Sequence, residues 1–130
     1  MKKEKKIHVL MVEPGKHPEE CWLDNDLDSL QKAVSIGAPY QGLIELFELE
    51  KDVILICNEE GKLLGLEGNR VYQGEVFAGI FYIAGSDRNG NLRSLSQKDM
   101  ERYRDVFWEP VAITDEQVMK SIYIQFIPWL

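Results

Sequence analysis

The side chains best suited to chemistry in this 130-residue chain are two amides and two cations beside glycine-rich turns. They are Asn58, Lys62, Asn69 and Arg70. Backbone N–H groups at glycine turns, together with cationic side chains, bind phosphate or carboxylate groups. The pattern therefore predicts a site for a small anionic or nucleotide-like ligand.

These four residues also allow a purely structural interpretation. In that case Arg70 pairs with a nearby carboxylate, and Asn69 occupies a left-handed turn position. The carboxylates close enough in sequence are those of Glu59, Glu60 and Glu67.

Motifs for catalysis or for a metal site are not recognisable in the sequence. There is no glycine-rich dinucleotide or phosphate loop, no His-Glu-x-x-His and no Cys-x-x-Cys. The two histidines, His8 and His17, are too few for most zinc or iron sites. We expect no catalytic residue, no metal and no cofactor, with a small enzyme that lacks a known motif as an alternative.

The charge balance restricts the partners that we expect. The chain has 22 acidic and 15 basic residues, a formal net charge of −7. Direct binding to a nucleic-acid backbone needs clustered lysine and arginine, so we do not expect it. An acidic interaction protein that mimics DNA, such as an antirestriction factor, is the alternative that this charge favours.

The chain has the composition of one cytoplasmic domain without a membrane span. Its hydrophobic content of 45% is that of an ordinary globular protein. Cys21 and Cys57 do not make a disulfide framework, which is typical of a reducing compartment. The apolar run after the basic N-terminal residues is too short for a signal peptide, and no run is long enough to cross a bilayer.

The elements that must position the candidate residues follow from periodicity and turn signals. Residues 7–12, 53–57, 63–64 and 76–84 predict strands. Residues 43–49 fit a strand or a helix, and the polar turn that follows favours a strand in a hairpin with 53–57. Residues 27–35 predict a helix with Asn25 or Asp26 as its N-cap, and the segment that follows Ser96 predicts a second helix with Ser96 as its N-cap. The expected fold is α+β: one domain with a mainly antiparallel four- or five-stranded sheet and two or three helices.

The last twenty residues are more apolar than a free surface segment. We predict a compact domain over residues 1–109 and an extension over 110–130 that packs on this domain or on a second subunit. Thr114 and Gln117 form a capping-box pattern for a helix, whereas residues 122–127 alternate like a strand. The candidate residues for a homo-oligomer interface are Ile122, Ile124, Phe126 and Trp129.

Several segments of the sequence, taken together, resemble a known protein family. They are VEPGKHP (12–18), DNDLDSLQKAV (24–34), ICNEEGKLLGLEGNR (56–70), GIFYIAG (79–85) and SLSQKDMERY (94–103). The sequence resembles a small domain-of-unknown-function family of phage, plasmid and conjugative-element proteins. The resemblance implies an accessory protein of a mobile element in a bacterial host and assigns no catalytic residue.

These observations give one leading functional hypothesis. The protein is expected to be a non-enzymatic binding protein that acts against host defence. Its expected partner is a small nucleotide-like signal or a host defence protein.

Overall fold

The computed structural model describes residues 3–126, with the side chains of residues 3–122. Within this range the chain forms eight strands and three helices. In chain order these are β1 (Lys6–Val12), β2 (Glu19–Asp24), α1 (Leu27–Ala33), β3 (Ile44–Glu50), β4 (Val53–Asn58), β5 (Gly68–Tyr72), β6 (Glu75–Ala78), β7 (Phe81–Ser86), β8 (Leu92–Arg93), α2 (Gln97–Val106) and α3 (Asp115–Phe126).

The strands form one six-stranded sheet and one two-stranded sheet. The larger sheet has the order β2-β1-β7-β4-β3, with the short β8 also paired to β7. All its pairings are antiparallel, including the predicted β3–β4 hairpin. Strands β5 and β6 pair with each other in the smaller sheet. The α+β class with a mainly antiparallel sheet is confirmed.

The central strand β7 is buried on both faces of the larger sheet. Phe81 and Ile83 point to one face, where they pack in a cluster with residues of α2 and of the β5–β6 hairpin. Tyr82 and Ala84 point to the other face, which α1 covers. Successive side chains of a strand alternate between faces, so a continuous apolar run fits a strand that is covered on both sides.

The helix N-caps are those that the sequence predicts. The carboxylate of Asp26 accepts a hydrogen bond from the Ser29 N–H at 2.8 Å. The hydroxyl of Ser96 accepts one from the Asp99 N–H at 3.2 Å. Each cap satisfies a donor that the first turn of a helix leaves without a partner.

The prediction of one strand over residues 76–84 is wrong. The segment is divided into β6 and β7, which belong to different sheets and are separated by Gly79 and Ile80. Gly79 has a φ of +84°, and a Cβ there would lie 2.8 Å from a methyl carbon of Leu66. Glycine therefore allows the chain to leave the sheet at this point.

Two further local predictions are wrong. Residues 63–64 lie in a turn, whereas the strand of this region is β5, four residues further on. Asn69 lies in β5 and not in a left-handed turn. Two-residue apolar runs carry too little pattern to distinguish a strand from a packed turn.

The helical interpretation of the C-terminal segment is confirmed over the described residues. The Thr114 N–H donates to the side-chain oxygen of Gln117 at 2.8 Å, and the Gln117 N–H donates to the Thr114 hydroxyl at 3.1 Å. Helix α3 then packs on the domain through Val118, which is buried in a cluster with Leu66 and Ala78. The extension thus contacts its own chain.

The four predicted interface residues are described to different extents. Ile122 is buried within its own chain. Ile124 and Phe126 lie in α3, but their side chains fall outside the described residues, as does Trp129. The homo-oligomer stays a prediction. No helix in the described part of the chain has the length and apolar character needed to cross a membrane.

We predict that α3 contributes to stability through Val118. Substitution of Val118 by Ala removes two methyl groups from a site that is 3% exposed. We expect a loss of roughly 2 kcal/mol in the free energy of unfolding, measured by urea denaturation. The neighbouring Met119→Ala is the control, because Met119 is 60% exposed. Equal stability of the two variants would contradict the packing of α3 on the domain.

Candidate ligand-binding site

Three of the four predicted ligand residues are buried, namely Asn58, Asn69 and Arg70. Asn69 is 0% and Arg70 2% exposed, and β5 places them side by side. The side-chain amide of Asn69 donates to the carbonyl oxygens of Val12 at 2.8 Å and of Gly79 at 2.9 Å. Asn69 thus connects β1 to the chain segment between β6 and β7.

The guanidinium of Arg70 bonds to carbonyl oxygens of three different segments. Its Nε donates to the Phe107 carbonyl at 3.0 Å, and one terminal nitrogen donates to the Lys16 carbonyl at 2.6 Å. The other terminal nitrogen donates to the side-chain oxygen of Asn69 at 2.8 Å and to its backbone carbonyl at 3.0 Å. Burial lowers the pKa of Arg70 from its ordinary value.

The expected partners of Arg70 are not the observed ones. None of the carboxylates of Glu59, Glu60 and Glu67 pairs with it among the described residues. The Phe107 carbonyl instead lies at the C-terminal end of α2, where the helix dipole is negative and stabilises a cation. Ligand binding by Asn69 and Arg70 stays a prediction, and their visible role is structural.

The other two predicted residues, Asn58 and Lys62, border a cavity of about 110 Å³. Its wall is formed by β3, the end of β4, the following turn, β6 and one residue of α3. The lining residues are Glu45, Phe47, Cys57, Asn58, Glu59, Gly61, Lys62, Leu63, Glu75, Val76, Phe77, Ala78 and Ile122.

The turn after β4 is fixed by Asn58 and Gly61. The side-chain oxygen of Asn58 accepts a hydrogen bond from the Glu60 N–H at 2.8 Å, and its amide donates to the Val34 carbonyl at 3.4 Å. A Cβ on Gly61 would lie 2.6 Å from the backbone oxygen of Ala78. Only glycine allows the turn to approach β6 this closely, and the approach places Lys62 at the cavity.

The cavity has more carboxylates than cations. Among the residues that the structure describes, its lining includes Glu45, Glu59 and Glu75 but only one cation, Lys62. The Lys62 ammonium lies 3.0 Å from a carboxylate oxygen of Glu75, and its side chain is 16% exposed. Burial, followed by the charges of Glu59 and Glu75, raises the pKa of Glu45, although Lys62 opposes the shift.

The thiol of Cys57 also borders the cavity. Burial raises the pKa of this thiol to about 12. At neutral pH it therefore carries its proton, and the protonated form is a poor nucleophile and metal ligand. In the described part of the chain, no group of three or more acidic, histidine or cysteine side chains is arranged to hold a metal ion.

A shallower groove of about 360 Å³ adjoins the cavity. Lys62, Glu75 and Val76 line both. The groove is completed by Gly74 from the hairpin and by Gln117, Lys120 and Ser121 from α3. Lys62 therefore lies where an acidic cavity meets a groove with a second lysine.

The residues that line the cavity and the groove outside the turn after β4 were not predicted from the sequence. Glu45 and Phe47 were readable as one face of a strand, because they are two residues apart. No sequence signal joins them to Glu75 on β6 or to Lys120 on α3. Those contacts depend on where the β5–β6 hairpin and α3 pack.

Comparison with known proteins identifies the domain. Residues 7–108 match the model of a family described as a domain of unknown function, DUF3846. The chain belongs to this family. The DUF3846 match ends before α3, so Lys120 and Ile122 add residues to the site from outside the matched range. No curated protein and no solved structure gives a significant match to the chain.

We predict that Arg70 stabilises the DUF3846 domain more than a surface arginine does. Arg70→Ala leaves the carbonyl oxygens of Lys16 and Phe107 without their donor. An acceptor that is left without a partner away from water costs about 1–3 kcal/mol, so we expect a loss of roughly 2 kcal/mol or more in urea denaturation. The control is Arg88→Ala, since Arg88 is exposed. A loss below about 1 kcal/mol for Arg70→Ala would contradict its structural role.

Proposed function

We propose that this protein is a non-enzymatic binding protein that serves a phage or another mobile element. In this role it counters host defence by holding a small nucleotide-like signal. The resemblance of residues 56–70 and of the neighbouring segments to mobile-element proteins supports the setting. The position of Lys62 between the cavity and the groove is the observation that supports a small ligand over a host protein.

The size of the two-part site supports this choice. The cavity alone, at about 110 Å³, has room for only a few non-hydrogen atoms. Together with the adjoining groove of about 360 Å³, it approaches the few hundred Å³ that small-ligand sites occupy. A ligand of nucleotide size would place one group in the cavity and the remainder in the groove.

The groove supplies the cations for an anionic group. Lys62 and Lys120 both line it. The ammonium of Lys120 lies 3.4 Å from a carboxylate oxygen of Glu116, and both side chains are largely exposed. Such exposed pairs stabilise proteins little, so a phosphate can replace Glu116 as the partner of Lys120. Charge-assisted hydrogen bonds to both lysines would then hold the phosphate.

Binding is favoured over catalysis because the reactive groups at the site are not activated. The Cys57 thiol is protonated at neutral pH. The Lys62 ammonium is paired with Glu75. A nucleophile needs a lowered pKa or an adjacent base, whereas the pKa of the Cys57 thiol is raised.

The test is calorimetric titration with adenosine monophosphate and cyclic adenosine monophosphate. We expect at least one of them to bind the wild-type protein. The same ligand should bind Lys62→Gln about 10-fold or more weakly, since a hydrogen bond to a charged group contributes about 1.5–3 kcal/mol.

Lys98→Gln is the matched control for this experiment. Lys98 is exposed on α2, outside both the cavity and the groove, so we expect it to bind as the wild type does. Absence of binding by both nucleotides, or equal affinity of the wild type and Lys62→Gln, would refute the nucleotide site and favour the host-protein partner.

A further inference from the structure

The carboxylate of Glu45 lines the cavity without a partner of its own. Lys62, the cation of the cavity, has its 3.0 Å contact with Glu75 instead. Glu45 makes no hydrogen bond and no ion pair within 4.0 Å in the described part of the chain. The side chain of Glu45 is half-buried, so a donor or a cation in the cavity would replace the water contacts that its carboxylate has lost.

A second polar group at the cavity is also without a partner. The side chain of Cys57 is 6% exposed, and its sulfur makes no hydrogen bond in the described part of the chain. Phe47 and Phe77 also line the cavity, and their rings lie 5.3 Å apart in an edge-to-face arrangement. In the described part of the chain, the cavity thus combines a carboxylate and a thiol that have no hydrogen-bond partner with two aromatic rings.

The negative charges around Glu45 also favour a cation or a hydrogen-bond donor in the cavity. Burial raises the pKa of Glu45, and Glu59 and Glu75 raise it further, because neighbouring negative charges disfavour its ionised form. An additional cation or N–H donor beside Glu45 would lower its pKa again. An anion that entered the cavity would raise the pKa further.

We propose that the cavity receives an amino group of the ligand and that the carboxylate of Glu45 accepts its N–H hydrogen bonds. This proposal rests on the proposed function for the presence of a ligand at Lys62 and defines the group that enters the cavity. The volume of about 110 Å³ is somewhat smaller than the roughly 150 Å³ of a protein cavity that accommodates benzene. It therefore fits a primary amine on a short apolar stem, or the amino-bearing edge of a nucleobase.

The first experiment uses minimal probes that differ only in their polar group. Propylammonium, propionate and propanol are titrated into the full chain, and binding is followed by nuclear magnetic resonance of the backbone amides. We expect propylammonium alone to shift the amides of Glu45 and Cys57, which share the cavity. Glu45→Gln should weaken this binding at least about 10-fold, the loss expected for one charge-assisted hydrogen bond.

Glu48→Gln is the matched control. Glu48 lies on the same strand, three residues away, and is not part of the cavity lining. The Glu48→Gln variant should bind propylammonium as the wild type does. A direct readout without any substitution is the pH titration of the Glu45 carboxyl carbon-13 resonance, whose midpoint should move to lower pH when propylammonium is added.

A second experiment distinguishes the two sources of the amino group. Inosine monophosphate differs from adenosine monophosphate at the base, where an oxo group replaces the amino group. If the base enters the cavity, inosine monophosphate should bind at least about 10-fold more weakly, and Glu45→Gln should remove most of this difference. Equal binding of the two nucleotides, together with Glu45-dependent binding of propylammonium, assigns the cavity to an alkylamine.

The failures of this proposal and of the proposed function are distinguishable. If a nucleotide binds in a Lys62-dependent manner but Glu45→Gln binds both nucleotides and propylammonium as the wild type does, the amino-group proposal is wrong and the proposed function stands. If propylammonium and propionate bind equally, the amino-group proposal is also wrong. If neither nucleotide nor amine binds the wild-type protein, both proposals are wrong.

Discussion

The fold depends on a buried guanidinium whose partners are carbonyl oxygens. Arg70 connects β5 to the loop after β1 and to the last turn of α2. A charge in the interior is costly unless its hydrogen bonds are made, so these segments must hold their relative positions. The negative end of the α2 dipole offsets part of the positive charge of Arg70. Without it, a carboxylate would be needed there.

The same constraint explains why the small hairpin forms a wall of the cavity. Asn69 bonds to Gly79 and Val12, which fixes the point where the chain passes from β6 back into the large sheet. The β5–β6 hairpin is therefore held over one face of that sheet, and Glu75 on β6 faces the turn that carries Lys62. The rigid interior thus positions a charged cavity at the protein surface.

Much of the fold was predictable, because its signals are local. The continuous apolar run in β7 and the caps at Asp26 and Ser96 are short-range patterns with a direct physical cause. The division of residues 76–84 was not predictable in this way. Its cause is the contact between Gly79 and Leu66, which are thirteen residues apart, and the pairing of β6 with β5.

The candidate site was predictable from the sequence only in part. The sequence by itself determined the α+β class, the helix starts, and the presence of Asn58 and Lys62 in a glycine turn after a buried strand. It placed Arg70 and Asn69 in the same group, because they are close along the chain. Only the tertiary structure places Arg70 and Asn69 away from the cavity that Asn58 and Lys62 border. The direction of a side chain depends on which strand is buried against which neighbour. Glu45, Glu75 and Lys120 come together from three elements that no local pattern connects, and that packing created the cavity and the groove.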